Sequence, residues 1–315
     1  MTSTAAIEPT APVVLLVFNR PEQTRRVLEV LRRVKPPTLF VVADGPRPDV
    51  PLDAPACAEV RQIISQGVDW NARVLLHYAE VNLGLRRRVS SGLDWVFEQV
   101  DRAIVLEDDC VPHPSFFQFC TELLAHYEHD TRVGVITGDN FQPQPFTCAA
   151  SYYFSRYNHC WGWASWRRAW TFFDEGMARW PALRDTGWLD GLFPDPGHAH
   201  YWARIFDGVH ERRINSWAYA WTFACWSQHL LTAIPQVNLV ANIGFGETAT
   251  NTRGGGGVKG NLPVSAMEFP LRHPACIVPD YSADAYSQRH VFGSATARPQ
   301  SQPLFGRLRR IFRYS

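Results

Sequence analysis

The sequence has no long hydrophobic run. Apolar stretches such as the six residues Val13–Phe18 fall far short of the roughly 20 residues that a membrane-spanning helix needs. Residues Met1–Pro12 also lack a basic region followed by an apolar run, which is the usual form of a secretory signal. We therefore expect no transmembrane segment and no export, and a location in the cytoplasm.

Paired cysteines and an excess of charge are missing as well. The seven cysteines are scattered without a CxxC spacing, which is typical of reduced thiols that lie partly in the core. The 31 basic and 30 acidic side chains leave a net charge of +1, which argues against a nucleic-acid partner held by bulk charge. Hydrophobic residues make up 46% of the 315 residues, enough for one large α/β domain or two small ones.

Strand and helix patterns alternate through the first half of the chain. Short apolar runs suited to buried parallel strands are separated by segments with helical spacing of apolar residues. The predicted strands are Val13–Phe18, Leu39–Ala43, Val74–Tyr78, Ala103–Leu106 and Val133–Thr137. This alternation predicts right-handed crossovers and a twisted, mostly parallel sheet flanked by helices.

Polar residues directly follow four of these strands. They are Asn19-Arg20, Asp44, Asn82-Leu83-Gly84 and Glu107–Asp109. Because ligands of such sheets lie beyond the carboxyl ends of the strands, the four loops are expected to converge on one binding site.

The second half of the chain is rich in aromatic residues. Ten of the twelve tryptophans lie between Trp161 and Trp226, and strand signals are sparse until Val237–Val240. Large aromatic side chains are most often core, so we expect most of these tryptophans to be buried. One or two of them can instead face a cleft and stack on a sugar.

The acidic triplet Glu107-Asp108-Asp109 predicts a metal site. Three carboxylates in a row repel one another unless a cation lies among them. Hard oxygen ligands suit Mg²⁺ or Mn²⁺, which bind few carboxylates and share phosphate oxygens of the substrate. The alternative is a solvated acidic turn that caps the next helix. The preceding strand Ile104–Leu106 and the following segment Val111–Phe117 favour the metal site.

The stretch Ala103–Phe119 (AIVLEDDCVPHPSFFQF) resembles the metal-binding region of the GT-A glycosyltransferases. It is most similar to the family of the Golgi alpha-mannoside N-acetylglucosaminyltransferase, whose first strand, loop and helix resemble Val14–Leu31. The segments Cys160–Trp170 and Ser216–Gly246 also resemble a bacterial branch of nucleotide-diphospho-sugar transferases. The resemblance covers about residues 13–252 and implies a GT-A, Rossmann-like fold. It also implies transfer of a sugar, with inversion, from a UDP-sugar to a glycan or lipid-linked acceptor.

The resemblance implies roles for the strand-end residues. Asp109 would be the direct ligand of Mn²⁺ or Mg²⁺, while Glu107 and Asp108 would contact the ribose and donor sugar or orient water. Asp44 would hydrogen-bond the base, usually uracil, and Arg20 would meet the nucleotide or its phosphates. An ordinary turn at Asp44 and a surface charge at Arg20 are the alternatives.

Five further residues complete the predicted donor site. Asn19 lies in the first loop, and Asn82 and Gly84 would let the backbone approach the donor. Arg86 or Arg87 is placed to meet phosphate oxygens, unless the arginine run is a solvated helix face.

The general base is missing from its expected position. An inverting transferase needs a base for the acceptor hydroxyl, and the similar Golgi enzyme uses an aspartate that follows a tryptophan. Here Trp217 is followed by Ala218. Glu247, in a loop after the last strand signal, is the first substitute and Asp207 the second. A surface acid is the alternative for each.

Two other functions remain open from the sequence. A nucleotidyltransferase acting on sugar phosphates shares the sheet, the acids and the metal. Such enzymes usually carry a Gly-rich loop directly after the first strand, where this chain has Asn19-Arg20-Pro21. A degenerate nucleotide-sugar-binding or glycan-binding relative is the other alternative, because Ala218 replaces the base.

The chain is expected to divide into four parts. They are a flexible N-terminus (1–12), a nucleotide-sugar-binding half (13–140), an acceptor-side half of the same domain (141–262) and a C-terminal extension (263–315). The extension ends in apolar residues at near-helical spacing beside arginines: Leu304, Leu308, Ile311 and Phe312 with Arg307, Arg309, Arg310 and Arg313. Such a segment can rest on an anionic membrane, and a partner-binding or frayed tail is the alternative.

Overall fold

The computed structural model describes residues 10–146, 149–244 and 262–293. Its ten strands in the described ranges are β1 Val13–Val17, β2 Thr38–Ala43, β3 Arg73–Tyr78, β4 Arg102–Glu107, β5 Cys110–Pro112, β6 Val133–Thr137, β7 Tyr152–Ser155, β8 Trp163–Trp166, β9 Leu231–Pro235 and β10 Val240–Asn242. The helices in those ranges are α1 Pro21–Val34, α2 Asp53–Gly67, α3 Leu85–Phe97, α4 Ser115–His126, α5 Arg167–Trp170, α6 Trp180–Arg184, α7 Trp188–Leu192, α8 Pro196–His210, α9 Trp217–Ser227 and α10 Tyr281–Ser287, followed by a π-helical turn, Gln288–Gly293.

Eight strands form one mixed sheet in the order β3-β2-β1-β4-β8-β6-β9-β7. Strands β1 to β4 are all parallel, whereas β8 runs antiparallel to both β4 and β6, and β7 runs antiparallel to β9. The short strands β5 and β10 pair separately as an antiparallel ribbon. The predicted α/β architecture, with a mostly parallel sheet flanked by helices, is confirmed.

The central strands are buried on both faces, as their continuous apolar sequences predict. In β1, Val13 and Leu15 face the layer of α1, α2 and α4, while Val14 and Leu16 face α3 and the tryptophan-rich helices. Helix α1 begins at Pro21 and ends at Val34, and the following residue, Lys35, caps it in a left-handed conformation at φ 54°. The sheet thus separates two core layers, and the loops at its carboxyl edge remain available for a site.

The second half adds strands that the sequence did not reveal. Strands β7 and β8 are four residues each and fully buried, so aromatic and small residues follow one another without a period-two pattern. The strand expected at Val237–Val240 is shifted, because β9 ends at Pro235 and the next strand begins only at Val240. Both halves of the chain contribute strands to the same sheet, and the boundary at residue 140 stays a prediction.

The tryptophan cluster is mainly core, as predicted. Trp163, Trp180, Trp202 and Trp221 are at most 1% exposed. No helix in the described part of the chain is long and apolar enough to cross a membrane.

Candidate functional site

A cavity of about 520 Å³ opens at the carboxyl edge of β1, β2 and β4. This volume lies within the range of small-molecule sites. One side, here called the polar wall, is formed by the strand-end residues Arg20, Asp44, Asn82, Gly84 and Glu107–Asp109. The structure therefore brings together most of the loops that the sequence predicted to converge.

The acidic triplet lies in the polar wall and meets Arg20. The Arg20 guanidinium donates to Asp109 Oδ2 at 2.6 Å and to Asp108 Oδ1 at 3.4 Å. The backbone N–H of Phe18 donates to the other Asp108 oxygen at 3.2 Å. The loop after β1 is thus tied to the loop after β4, its neighbour in the sheet.

The triplet carries more negative charge than Arg20 balances. Burial raises the pKa of Asp108 to about 7, against the opposing effect of Arg20. Burial and the neighbouring acids also raise the pKa of Glu107 well above its ordinary value. Burial lowers the Arg20 pKa, but the charges of Asp108 and Asp109 outweigh it and raise that pKa overall. A bound cation would offset the burial and the mutual repulsion that together disfavour ionisation of Glu107 and Asp108.

The fit to a divalent metal is partial. Within residues 10–146, 149–244 and 262–293, no three His, Cys, Asp or Glu side chains converge enough to hold a metal by themselves. Mg²⁺ commonly takes one or two carboxylates together with substrate phosphates rather than an all-protein cage. The triplet therefore suits an ion that arrives with a diphosphate and shares Asp109 with Arg20. The metal itself stays a prediction.

The ribbon of β5 and β10 fixes the backbone of the last acid. The Asp109 carbonyl accepts from Ile243 N–H at 2.8 Å, and Gly244 N–H donates to Asn242 Oδ1 at 2.8 Å. A Cβ on Gly244 would lie 2.1 Å from Asp109 Oδ2, so a larger residue there would force this carboxylate or the ribbon to move. A segment more than 130 residues away in the sequence thus shapes the predicted metal ligand.

The Asp44 carboxylate already accepts hydrogen bonds from neighbouring groups of the protein. Its Oδ1 accepts from the N–H groups of Gly45 (2.8 Å) and Leu83 (2.9 Å). Its Oδ2 accepts from the Asn82 side-chain amide (3.0 Å) and the Gly84 N–H (3.1 Å). The carboxylate therefore clamps the Asn82–Gly84 turn, in which Gly84 adopts a φ of 77°.

The arginine run at the start of α3 separates into three environments. Arg86 turns away from the cavity and donates to Glu175 Oε1 at 3.0 Å, while Arg87 is exposed and does not line the cavity. Arg88 lines the cavity instead and is 5% exposed. It occupies the i+3 position from Leu85, next to Val89, so the sequence signal was an arginine within the apolar stripe of the helix.

Asn19 supports the first loop from behind. Its amide donates to Asp53 Oδ1 at 2.7 Å, and it does not line the cavity. Asp53 also accepts from Arg47 at 2.5 Å, and Arg47 lies over the Phe18 ring. The Arg47 hydrogen bond lowers the pKa of Asp53 to about 2.

A second part of the cavity lining, here called the aromatic wall, comes from three segments. They are residues 158–161, residues 215–219 and the pair Val291 and Phe292. Asn158 is 9% exposed, and the oxygen of its side-chain amide, Oδ1, is buried and has no hydrogen-bond partner among the described residues. Asp139, directly after β6, also lines the cavity and accepts from Trp161 N–H at 3.0 Å.

The missing base is not supplied at the position that the resemblance indicates. Ala218 does line the cavity, in the aromatic wall, and carries no acid. The structure does not bring Asp207 to the cavity, because its carboxylate accepts from Trp180 Nε1 (3.0 Å) and Arg184 (3.1 Å). Glu247 lies outside the described residues.

No protein-family model matches the sequence, and no curated protein matches it either. Three solved structures are similar at 9% identity. HddC from Yersinia pseudotuberculosis matches 50% of this chain and 78% of its own, with a TM-score of 0.30. The match to a UDP-glucose pyrophosphorylase complexed with UDP-glucose covers 72% of this chain and 90% of that one, with a TM-score of 0.34. The match to the inositol-1-phosphate CTP transferase from T. maritima covers 75% of this chain and 89% of that one, with a TM-score of 0.36. At these values the likenesses carry no argument about function.

Proposed function

We propose that the protein is a metal-dependent glycosyltransferase that moves a sugar from a nucleoside-diphosphate sugar to a glycan or lipid-linked acceptor. The observation that carries the proposal is the acidic triplet Glu107–Asp109 facing Arg20 in a cavity. A UDP-sugar is the proposed donor and Mn²⁺ or Mg²⁺ the proposed metal.

Each part of the polar wall has a task in this proposal. Asp109 would hold the metal, and the metal would neutralise the charge that develops on the departing diphosphate. Arg20, already 2.6 Å from Asp109, would pair with a phosphate oxygen beside it. The aromatic wall offers ring faces to the acceptor sugar.

Nucleotidyl transfer to a sugar phosphate is the second candidate, and Ala218 favours it. A sugar hydroxyl must lose a proton to attack, whereas a phosphate oxygen is largely ionised at neutral pH and needs no base. The polar Asn19-Arg20-Pro21 segment after β1, in place of a Gly-rich loop, favours the glycosyltransferase instead. A degenerate binding relative would use the same wall without turnover.

Product analysis separates these candidates. The protein is incubated with nucleotide sugars, or with nucleoside triphosphates and sugar phosphates, in the presence of Mn²⁺ or a chelator. Metal-dependent release of nucleoside diphosphate supports the glycosyltransferase, and pyrophosphate release supports the nucleotidyltransferase. Nucleotide-sugar binding without product indicates the degenerate relative, and no binding in any arm refutes all three.

The basic segment at 304–313 lies outside the described residues, and we propose that it contacts anionic membrane. Its four arginines alternate with apolar residues and no acid is among them. A chain truncated before Leu304 should bind phosphatidylserine vesicles more weakly than the full chain in a sedimentation assay. Equal binding would remove this contact from the proposal.

A further inference from the structure

We infer that the protein forms a two-fold dimer in which strand β3, at the edge of the sheet, pairs in antiparallel orientation with β3 of a second copy. The inference concerns a surface outside the cavity and does not depend on the proposed activity. It commits to one partner, which is another molecule of this chain.

The two edges of the eight-stranded sheet differ in how they are covered. At one edge, the segment that precedes α10 covers the backbone at β7. Ser151 N–H donates to the Arg272 carbonyl at 2.8 Å, and Asp280 N–H donates to the Phe154 carbonyl at 2.7 Å. At the other edge, β3 pairs with β2, and no other strand within residues 10–146, 149–244 and 262–293 pairs with it. In the described part of the chain, therefore, one edge is covered and the other is open.

The backbone of β3 offers hydrogen bonds to a further strand. Arg73 and Ala79 donate their N–H groups to carbonyl groups of the β2 segment, each at 2.9 Å. Alternate residues of a strand direct their backbone groups to opposite sides, so those of Val74, Leu76 and Tyr78 point away from β2. Such a row of outward N–H and C=O groups is a template for another strand.

Exposed apolar side chains are concentrated on the same edge. Val74 is 37% exposed, Leu76 is 51% exposed, and Val81, in the turn after the strand, is 65% exposed. They are three of the seven large apolar side chains that are exposed in the described part of the chain. Open edges of natural sheets are usually protected by charged residues, proline or bulges. Residues 74–79 contain no acid, lysine, arginine or proline, so this edge requires a cover.

The charges at the two ends of β3 favour its own copy as that cover. Exposed Arg73 begins the strand, and exposed Glu80 follows shortly after its end. In an antiparallel pair, the start of one strand lies beside the end of the other, so Arg73 of each copy lies near Glu80 of the other. A parallel pair would place like charges together, which is destabilising. The edge is therefore complementary to itself, as a two-fold interface requires.

The direction of the backbone groups also sets the register. Residues that exchange hydrogen bonds in an antiparallel pair lie directly opposite each other, so outward residues must face outward residues. A two-fold axis at Leu76 places Leu76 opposite Leu76 of the second copy, and Val74 opposite Tyr78 on either side of it. Each of these pairs exchanges two backbone hydrogen bonds, and the exposed leucine side chains meet. The cavities of the two copies then open at opposite ends of the extended sheet.

Sedimentation velocity of the full chain over a range of concentrations tests the inference. The wild-type protein should sediment as a dimer of the 35.8-kDa chain. Leu76→Lys should raise the dissociation constant at least about 100-fold, because each copy loses an apolar contact and the two ammonium groups face each other. Leu76 is half exposed in the monomer, so its replacement leaves the core intact. Phe172→Lys, at an exposed apolar residue outside this edge, is the matched control and should keep the dimer.

Charge reversal and hydrogen exchange test the orientation and the register. Arg73→Glu and Glu80→Arg should each weaken the dimer roughly 5-fold, and the double variant should restore it. Amide hydrogen exchange at Val74, Leu76 and Tyr78 should be slower in the concentrated dimer than in the diluted monomer. The amides of Arg73 and its alternate neighbours, which already bond to β2, should exchange at similar rates in both.

Three results would overturn the inference. A monomer at every concentration up to about 100 μM would show that the edge stays open. A dimer that is equally stable in Leu76→Lys would use another surface. Open-ended growth would contradict the two-fold arrangement, because that arrangement leaves no β3 edge free.

Discussion

The two walls of the cavity are built in different ways. The polar wall comes from short loops at the ends of parallel strands, and ion pairs and hydrogen bonds to backbone amides hold its residues in place. The aromatic wall comes from segments at 158–161, 215–219 and 291–292, backed by packed rings. We infer that the polar wall supplies ligand chemistry and that the aromatic wall supplies stability and shape. Substitutions should therefore separate the two properties.

The largest expected effect is on stability, behind the aromatic wall. Trp202 is fully buried, its ring centroid lies 4.6 Å from that of Trp226 and 5.1 Å from that of Phe292, and its Nε1 donates to Gln288. Trp202→Ala should lower the free energy of unfolding by about 3–5 kcal/mol, because it leaves a large cavity. Urea unfolding measures this, with the half-buried Trp188→Ala as the control that loses less. A loss under about 1 kcal/mol for Trp202→Ala would contradict the assignment.

On the polar wall, Asp109→Asn should leave stability nearly unchanged and weaken ligand binding. Removing one of three adjacent carboxylates relieves repulsion, so the free energy of unfolding should change by less than about 1 kcal/mol. Affinity for a nucleoside diphosphate with Mn²⁺ should fall roughly 100-fold, since the proposed metal ligand loses its charge. Calorimetry measures the affinity, with the exposed Asp185→Asn as control. A large loss of stability with unchanged affinity would make the triplet a structural element.

The sequence revealed the polar wall because its signals are local. A buried strand followed at once by a polar residue predicts the position of that residue in a parallel sheet, as at Arg20, Asp44 and Glu107–Asp109. The pattern did not resolve side-chain direction. Arg86 and Arg88 lie two residues apart on one helix and point to different surroundings, because each residue advances about 100° around the axis.

The aromatic wall was less predictable because its contacts are distant in the sequence. Phe292 stacks on Tyr157, and its backbone carbonyl accepts a hydrogen bond from the Tyr201 hydroxyl. No local sequence pattern predicts either contact. The strands β7 and β8 carry no alternation, since both of their faces are buried. The overall excess of tryptophan indicated a core, but not which residues reach the cavity.

A third prediction concerns Asp53, which supports the polar wall through pH-sensitive ion pairing. Its pKa is lowered to about 2 in the folded state from an ordinary 3.8, so its stabilisation is present above pH 4. That stabilisation is lost as the pH falls toward 2, and amounts to at most about 2 kcal/mol because Arg47 is partly exposed. The Asp53→Asn protein should therefore be less stable than wild type at pH 7 and nearly equal to it at pH 2. Unfolding at both pH values measures the difference, and an equal gap at the two values would contradict it.

The smallest predicted effect tests whether the two halves of the chain meet at one residue. Gly244 belongs to the second half, yet a Cβ there would lie 2.1 Å from Asp109 Oδ2 and 3.1 Å from Asn242 Oδ1. In Gly244→Ala the carboxylate must turn or the β5–β10 ribbon must shift. We expect affinity for nucleoside diphosphate with Mn²⁺ to fall roughly 10-fold, with a loss of stability under about 1 kcal/mol. Gly191→Ala, where a Cβ meets no atom within 4 Å, is the matched control. Unchanged affinity in Gly244→Ala would mean that the Asp109 carboxylate can move without loss of ligand binding. The ligand affinity of the polar wall would then not depend on Gly244 of the second half.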